Sequence, residues 1–246
     1  MSLRRRSLTL TLLGAGAGAA PARGAAPLRL VAEVDPPYVL PGHEPLGAGI
    51  DIDIARQALA LGQGPDFRVQ LLPFRRALIL LENGQADLTL GLGITPERER
   101  YLAFSQPYGG EVRHQFISAT GSRVRVRALD DLRSLRVGLV RGYAYPEGVM
   151  RTIGQPASWA SSKSALLRMV VAQRIDVAVM EAQAARWVAG ELGLQAALQA
   201  QPFEIRSASG AHFAFSRASP AAMAARAAMD RGLALMAAAA PHRRRP

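Results

Sequence analysis

The sequence predicts an α/β protein of two lobes, each built on a largely parallel sheet, and three observations carry that prediction. Strand-like apolar runs alternate with helical patterns along the chain, the order that parallel sheets need for their crossovers. Two segments, "ALILLENGQADLTL" and "ALLRMVVAQRIDVAV", share one plan: a helix opening Ala-Leu, a glutamine near its end, an aspartate, then an apolar strand. Asp87 and Asp176 hold the matching corners. The length, 246 residues, suits two modest lobes better than one long sheet.

The elements follow in order. "LRLVAEV" (28–34) is a buried strand ended by Asp35-Pro36-Pro37. Ile50, Ile54, Ala58 and Leu61 fall on one face of a helix that Gly62 stops. "FRVQLLP" is a strand, "RRALILLENG" a helix capped by Gly84, and "DLTLGL" a second buried strand. "VRHQFISA" is a strand, and "DDLRSLRVGLV" a short helical turn leading into another. "SKSALLRMVVAQ" is a helix with Ser161-Ser162 at its cap, "DVAVM" a strand, and "EAQAARWVAGELG" a helix. "FEIRSAS" and "HFAFSR" are strands, before a last helix with Ser219 as N-cap and Pro220 in its first position.

Hydrophobic residues make up 49% of the chain and charged residues 20%, ordinary values for a globular protein. The formal charge of +11 falls to +7 once Arg4, Arg5, Arg6 and Arg23 are removed with residues 1–26, a segment without acids. Lys163 is the only lysine, and no arginine stripe with interleaved aromatics marks a nucleic-acid surface, so nucleic acid is not an expected partner. The absence of cysteine excludes thiol catalysis, disulfides and Cys-based zinc sites. His43, His114, His212 and His242 are scattered, and Asp51 and Asp53 read as first-turn helix acids, so neither a metal nor a cofactor is expected. Trp159 and Trp187 read as core or lobe surface. No nucleophile elbow, phosphate loop or HExxH occurs.

Residues 1–26, "MSLRRRSLTLTLLGAGAGAAPARGAA", have the basic start, short apolar stretch and small-residue end of an export signal. Arg4 to Arg6 followed by Ser7-Leu8 also resembles a twin-arginine signal.

The stretch "LTLGLGITPERERYLAFSQPY" (88–108) is the most informative. Thr95, Pro96 and the acids Glu97 and Glu99 make a good helix start. Capping does not explain Arg98, a cation at the unfavourable end of the helix dipole. Nor does it explain Gly91 and Gly93, which weaken a strand unless something approaches its backbone. A carboxylate held at the end of a parallel strand accounts for all of them: arginine meets it with two parallel hydrogen bonds, and the helix start adds amides.

"GITPERERYLAFSQPY" resembles the signature of the extracellular solute-binding proteins of the polar amino acid type (family 3), which serve ABC importers. "LRLVAEVDPPY", "GAGIDIDIARQALALG", "LPFRRALILLENGQADL", "LDDLRSLRVGLVRG" and "IDVAVMEAQAA", in that order, extend the likeness over nearly the whole chain after the signal. The resemblance implies a periplasmic-binding-protein type II-like fold, two α/β lobes joined by two hinge strands and closing on a small-molecule solute. Lobe 1 would comprise 27–113 and 205–246, and lobe 2 residues 114–204. The implied protein is a periplasmic monomer that binds rather than catalyses, with an ABC permease in the cytoplasmic membrane as its partner.

Carried over residue by residue, the pattern gives Arg98 and Thr95 to the solute's α-carboxylate, with the backbone amide of Gly93 where the family usually bears a hydroxyl. Tyr38 and Phe74 would line the cleft and pack on the solute. Glu181, five residues after Asp176, stands where the family offers an aspartate to the α-amine. Gly142 opens a loop, Gly142-Tyr143-Ala144, in which small hydroxyl residues usually touch the carboxylate. Read from the residues, Glu181 is open to three roles: a ligand carboxylate, a buried acid paired with an arginine, or the first residue of the next helix, where acids are favoured. Relatives of the family include cyclohexadienyl dehydratases, so an enzyme using Glu181 as general acid is the rival reading, and a sensory ligand-binding subunit a third.

Overall fold

The computed structural model describes residues 26–110, 112–207 and 210–239. The expected export signal, apart from Ala26, lies outside the described residues.

Two five-stranded sheets form the frame. In the first, β1 (Leu28–Ala32) lies between β2 (Phe67–Leu71) and β3 (Leu88–Leu92), all parallel. β10 (His212–Ser216) then pairs antiparallel with β3 and with the edge strand β4 (Leu102–Phe104). In the second, β6 (Val137–Val140) lies between β7 (Ser158–Ala160) and β8 (Val177–Glu181), again parallel, and β5 (Val112–Ala119) runs antiparallel between β8 and β9 (Leu198–Ser207). Both sheets are therefore mixed rather than simply parallel. In each, the strand that opposes the rest is the first one entered after the chain crosses from the other sheet. The expected lobe boundaries, 113/114 and 204/205, fall inside β5 and β9, which pair from Val112–Ser207 to Ala119–Leu198.

The sheets are covered on both faces, as parallel strands require. α1 (Ile50–Leu61) and α7 (Pro220–Ala239) close one face of the first sheet over Phe213 and Phe215, while Ala214 points to the other face beside α2 (Phe74–Glu82). α5 (Lys163–Val171) and α6 (Ala182–Glu191) pack on the second sheet through Leu166, Leu167 and Val188. The buried face of α1 is turned from the predicted one: Ile52, Ala55, Ala58 and Leu59 face the core, and Leu61 is 45% exposed. The reason is α7, which approaches so closely that a Cβ at Gly62 would lie 1.9 Å from the carbonyl oxygen of Ala228, and one at Gly232 1.8 Å from that of Ala58.

The caps fall where the sequence places them. Ser162 Oγ accepts from the amide of Ala165 (3.1 Å), and Ser219 Oγ from that of Ala222 (3.2 Å). Gly84 follows α2 in the left-handed region, at φ +69°. The three-residue strands β4 and β7 and the short helix α4 (Glu147–Thr152) are additions, and β9 begins five residues before the predicted strand at Phe203.

Candidate functional site

A cavity of about 530 Å³ opens at the carboxyl ends of β1, β3, β6 and β8, between the two sheets. Ligands of open α/β sheets bind at that end of the strands. Arg98, Thr95, Gly93, Tyr38, Phe74 and Glu181 all line it.

Arg98 comes from the first turn of the four-residue helix α3 (Pro96–Glu99) and is 5% exposed. Its Nη1 donates to the carbonyl of Gly93 (2.7 Å) and its Nη2 to the carbonyl of Gly142 (2.9 Å), one acceptor from each side of the cleft. Its Cζ stands 5.6 Å from the centre of the Phe74 ring. Among the described residues two of its five N–H donors are thus engaged. Burial pulls the guanidinium below its ordinary pKa, and the charges of Tyr101 and Glu97 pull the other way. Among the described residues no carboxylate pairs with it.

The other predicted residues divide by what their polar atoms already do. Thr95 caps α3, its Oγ1 accepting from the amide of Arg98 at 3.3 Å. Gly93 uses its carbonyl, towards Arg98, where its amide was the group expected to act. Gly142 stands behind Arg98 rather than on the cavity wall; it has φ +86°, and a Cβ there would lie 3.5 Å from the Phe74 ring. Tyr38 is buried. Phe74 meets Tyr143 edge-on at 4.9 Å. Glu181 is the N-cap of α6, its two carboxylate oxygens accepting from the amides of Gln183 (3.1 Å) and Ala184 (2.8 Å), so the helix-start reading describes its present contacts. Gly91 is required by conformation: at φ +68° it lies in the left-handed region, and its amide donates to Tyr108 Oη (2.9 Å).

Sequence reasoning missed a second set of groups, which crosses the cleft. Lys163, the first residue of α5, places Nζ 2.5 Å from Asp35 Oδ1 and 5.3 Å from the centre of the Tyr143 ring. The Tyr143 hydroxyl donates to Glu33 Oε2 at 2.5 Å. Burial raises the pKa of both partners: that of Tyr143 well above the ordinary phenol value, and that of Glu33 against the opposing effects of the Tyr143 hydrogen bond and the Lys163 charge. A signal for Lys163 was present, since it is the only lysine and sits at a helix start, where a cation is disfavoured. His114, on β5 opposite Glu181, also reaches the wall; burial pushes its pKa down to about 4.

Two mixed sheets, each covered by helices and facing the other across a cleft, define a two-lobe protein of the periplasmic-binding-protein type II kind. The model of the bacterial extracellular solute-binding proteins, family 3, matches residues 28–239, and the chain belongs to that family. Among solved structures it is similar to a histidine kinase sensor domain with similarity to periplasmic binding proteins (TM-score 0.73, 20% identity, 87% of this chain and 92% of that one). It is also similar to an ancestral arginine-binding protein bound to arginine (0.71, 22%, 87% and 92%). A third is an ancestral amino acid-binding protein described as a precursor of cyclohexadienyl dehydratase (0.67, 20%, 87% and 89%). At these identities the likeness is one of fold. No curated protein matches by sequence.

Proposed function

We propose that the chain is an exported, periplasmic solute-binding protein that closes its lobes over a small carboxylate-bearing solute and delivers it, as a monomer, to an ABC permease. One observation carries this reading: a deeply buried guanidinium lines the cleft, oriented by a carbonyl from each side, and no carboxylate of the described residues forms an ion pair with it. A buried cation is costly without an opposite charge, and arginine geometry favours a carboxylate. Contacts made from both sides of the cleft stabilise the closed arrangement, so solute binding and closure are one equilibrium.

The enzyme reading needs a cleft carboxyl group free to give a proton. Glu181 serves it poorly, because it accepts hydrogen bonds on both oxygens.

Arg98→Ala tests the proposal. Calorimetric titration with small mono- and dicarboxylates and with amino acids should show a loss of about a hundredfold or more in affinity for the best solute, about 3 kcal/mol. Unchanged affinity would remove Arg98 from the site.

A further inference from the structure

We infer that Lys163 selects the class of solute: its ammonium takes the cation position of the cleft, so that the protein prefers carboxylates without an amino group over amino acids. The inference rests on the reading of Arg98 as the carboxylate anchor and adds what the rest of the solute is.

The partners of the charges on the wall carry it. Asp35 is paired with Lys163, whose residue is only 9% exposed. Glu33 accepts from the Tyr143 hydroxyl. Both oxygens of Glu181 accept from amides of α6. Glu147 pairs with Arg151, and Asp51 has a partner of its own. Of the cations, Arg206 lies 3.5 Å from Glu204, and Lys163 has Asp35. Every carboxylate that the described residues place on the wall is therefore engaged by a group of the chain, whereas the hydrogen bonds of Arg98 among those residues go to carbonyls.

Every amino acid brings an α-ammonium along with its α-carboxylate. To bind that ammonium the cleft would have to release Lys163 from Asp35, Tyr143 from Glu33, or Glu181 from its helix. A dicarboxylate or a hydroxy acid asks for none of these exchanges. Position strengthens the case. Lys163 starts α5, at the end of a helix where a cation is least favoured, and it lines the same cavity as Arg98. The Lys163 ammonium also faces the Tyr143 ring, the arrangement that a solute ammonium would otherwise seek.

The test uses the mature protein and Lys163→Met, which keeps the length of the side chain and loses the charge. Melting temperature and calorimetry are read with succinate, glutarate, lactate, glutamate, lysine and arginine. The wild-type protein should rank an amine-free acid above every amino acid by tenfold or more. Lys163→Met should narrow or reverse that ranking by at least tenfold in favour of lysine or arginine, and Lys163→Arg should keep it. A wild-type protein that binds an amino acid most tightly overturns the inference, whether or not the variant folds. So does a ranking that Lys163→Met leaves unchanged. Arg98→Ala separates the two readings: if it retains affinity while Lys163→Met still changes the ranking, the anchor is wrong and the selector stands.

Discussion

At the head of β3, Asp87 receives the backbone amide and the guanidinium of Arg29; at the head of β8, Asp176 receives the same two groups from Arg136. Each aspartate's own amide returns to the carbonyl of its arginine. One corner is thus used twice to fix where neighbouring parallel strands begin. The surroundings differ. Asp87 also accepts from Ser219 Oγ at 2.7 Å, which ties the cap of α7 to the sheet. Burial alone would raise its carboxyl pKa, yet the bonds from Arg29 and Ser219 hold it below the ordinary value. Asp176 is more exposed and is lowered by Arg136 first. In the first lobe α1 and α7 meet backbone to backbone at Gly62 and Gly232, whereas a Cβ at Gly190 of α6 would find only the tip of Gln195, at 3.4 Å. His212 of the first sheet has Nδ1 2.8 Å from the carbonyl of Ser105, while the buried Nδ1 of His114 in the second meets no hydrogen-bond geometry with the described residues. The first lobe is joined through backbone and paired polar groups and the second more through side-chain packing, so the second should yield first to acid.

Acid therefore gives the largest expected contrast. A histidine with a folded pKa of about 4 instead of 6.5 leaves the unfolded chain binding more protons between those values. Its contribution is intact above pH 6.5 and is lost as pH falls towards 4, about 3 kcal/mol in all. Both tryptophans, Trp159 on β7 and Trp187 on α6, belong to the second lobe, so their emission in urea titrations at pH 7 and 4.5 follows that lobe. His114→Phe should flatten the difference, and an unaltered pH dependence would show that the acid sensitivity lies elsewhere. Next comes Gly232→Ala. The gain in helix propensity is about 1 kcal/mol, but overpacking against the Ala58 carbonyl costs about 3, for a net loss of about 2 by urea denaturation. Asp87→Ala should cost about 2 kcal/mol, because buried donors lose their acceptor, and Asp176→Ala the smaller amount expected of an exposed pair. Equal losses would mean that the Ser219 link is idle. The smallest effect has the opposite sign: Gly190→Ala should stabilise the second lobe by up to about 1 kcal/mol.

What the sequence made legible was what short-range pattern controls. Thr95, Pro96 and Arg98 announce a helix start with one residue that capping cannot explain, and that residue lies in the cleft. The aspartate corners were visible because each precedes a long apolar run. The face of α1 was misjudged because the choice among apolar stripes is made by α7, whose Gly232 lies more than 170 positions from Ala58. β4 and β7, three residues each, are too short to show a period. The pairing of Lys163 with Asp35, 128 positions apart, is invisible until the lobes face each other. For Glu181 the family position suggests a ligand role, while the local physics of a helix start describes the contacts it makes.

The two carbonyls that grip Arg98 bear on how discrimination is achieved. A free arginine side chain gives up about 2 kcal/mol of rotamer entropy when it is immobilised; here folding has already done so, and on the proposed reading an incoming anion would meet a guanidinium aimed in advance. Recognition of the acid group would then be nearly uniform from one candidate to the next. Preference among them would pass to the far end of the molecule, where its shape and charge would meet the aromatic and lysine side of the chamber.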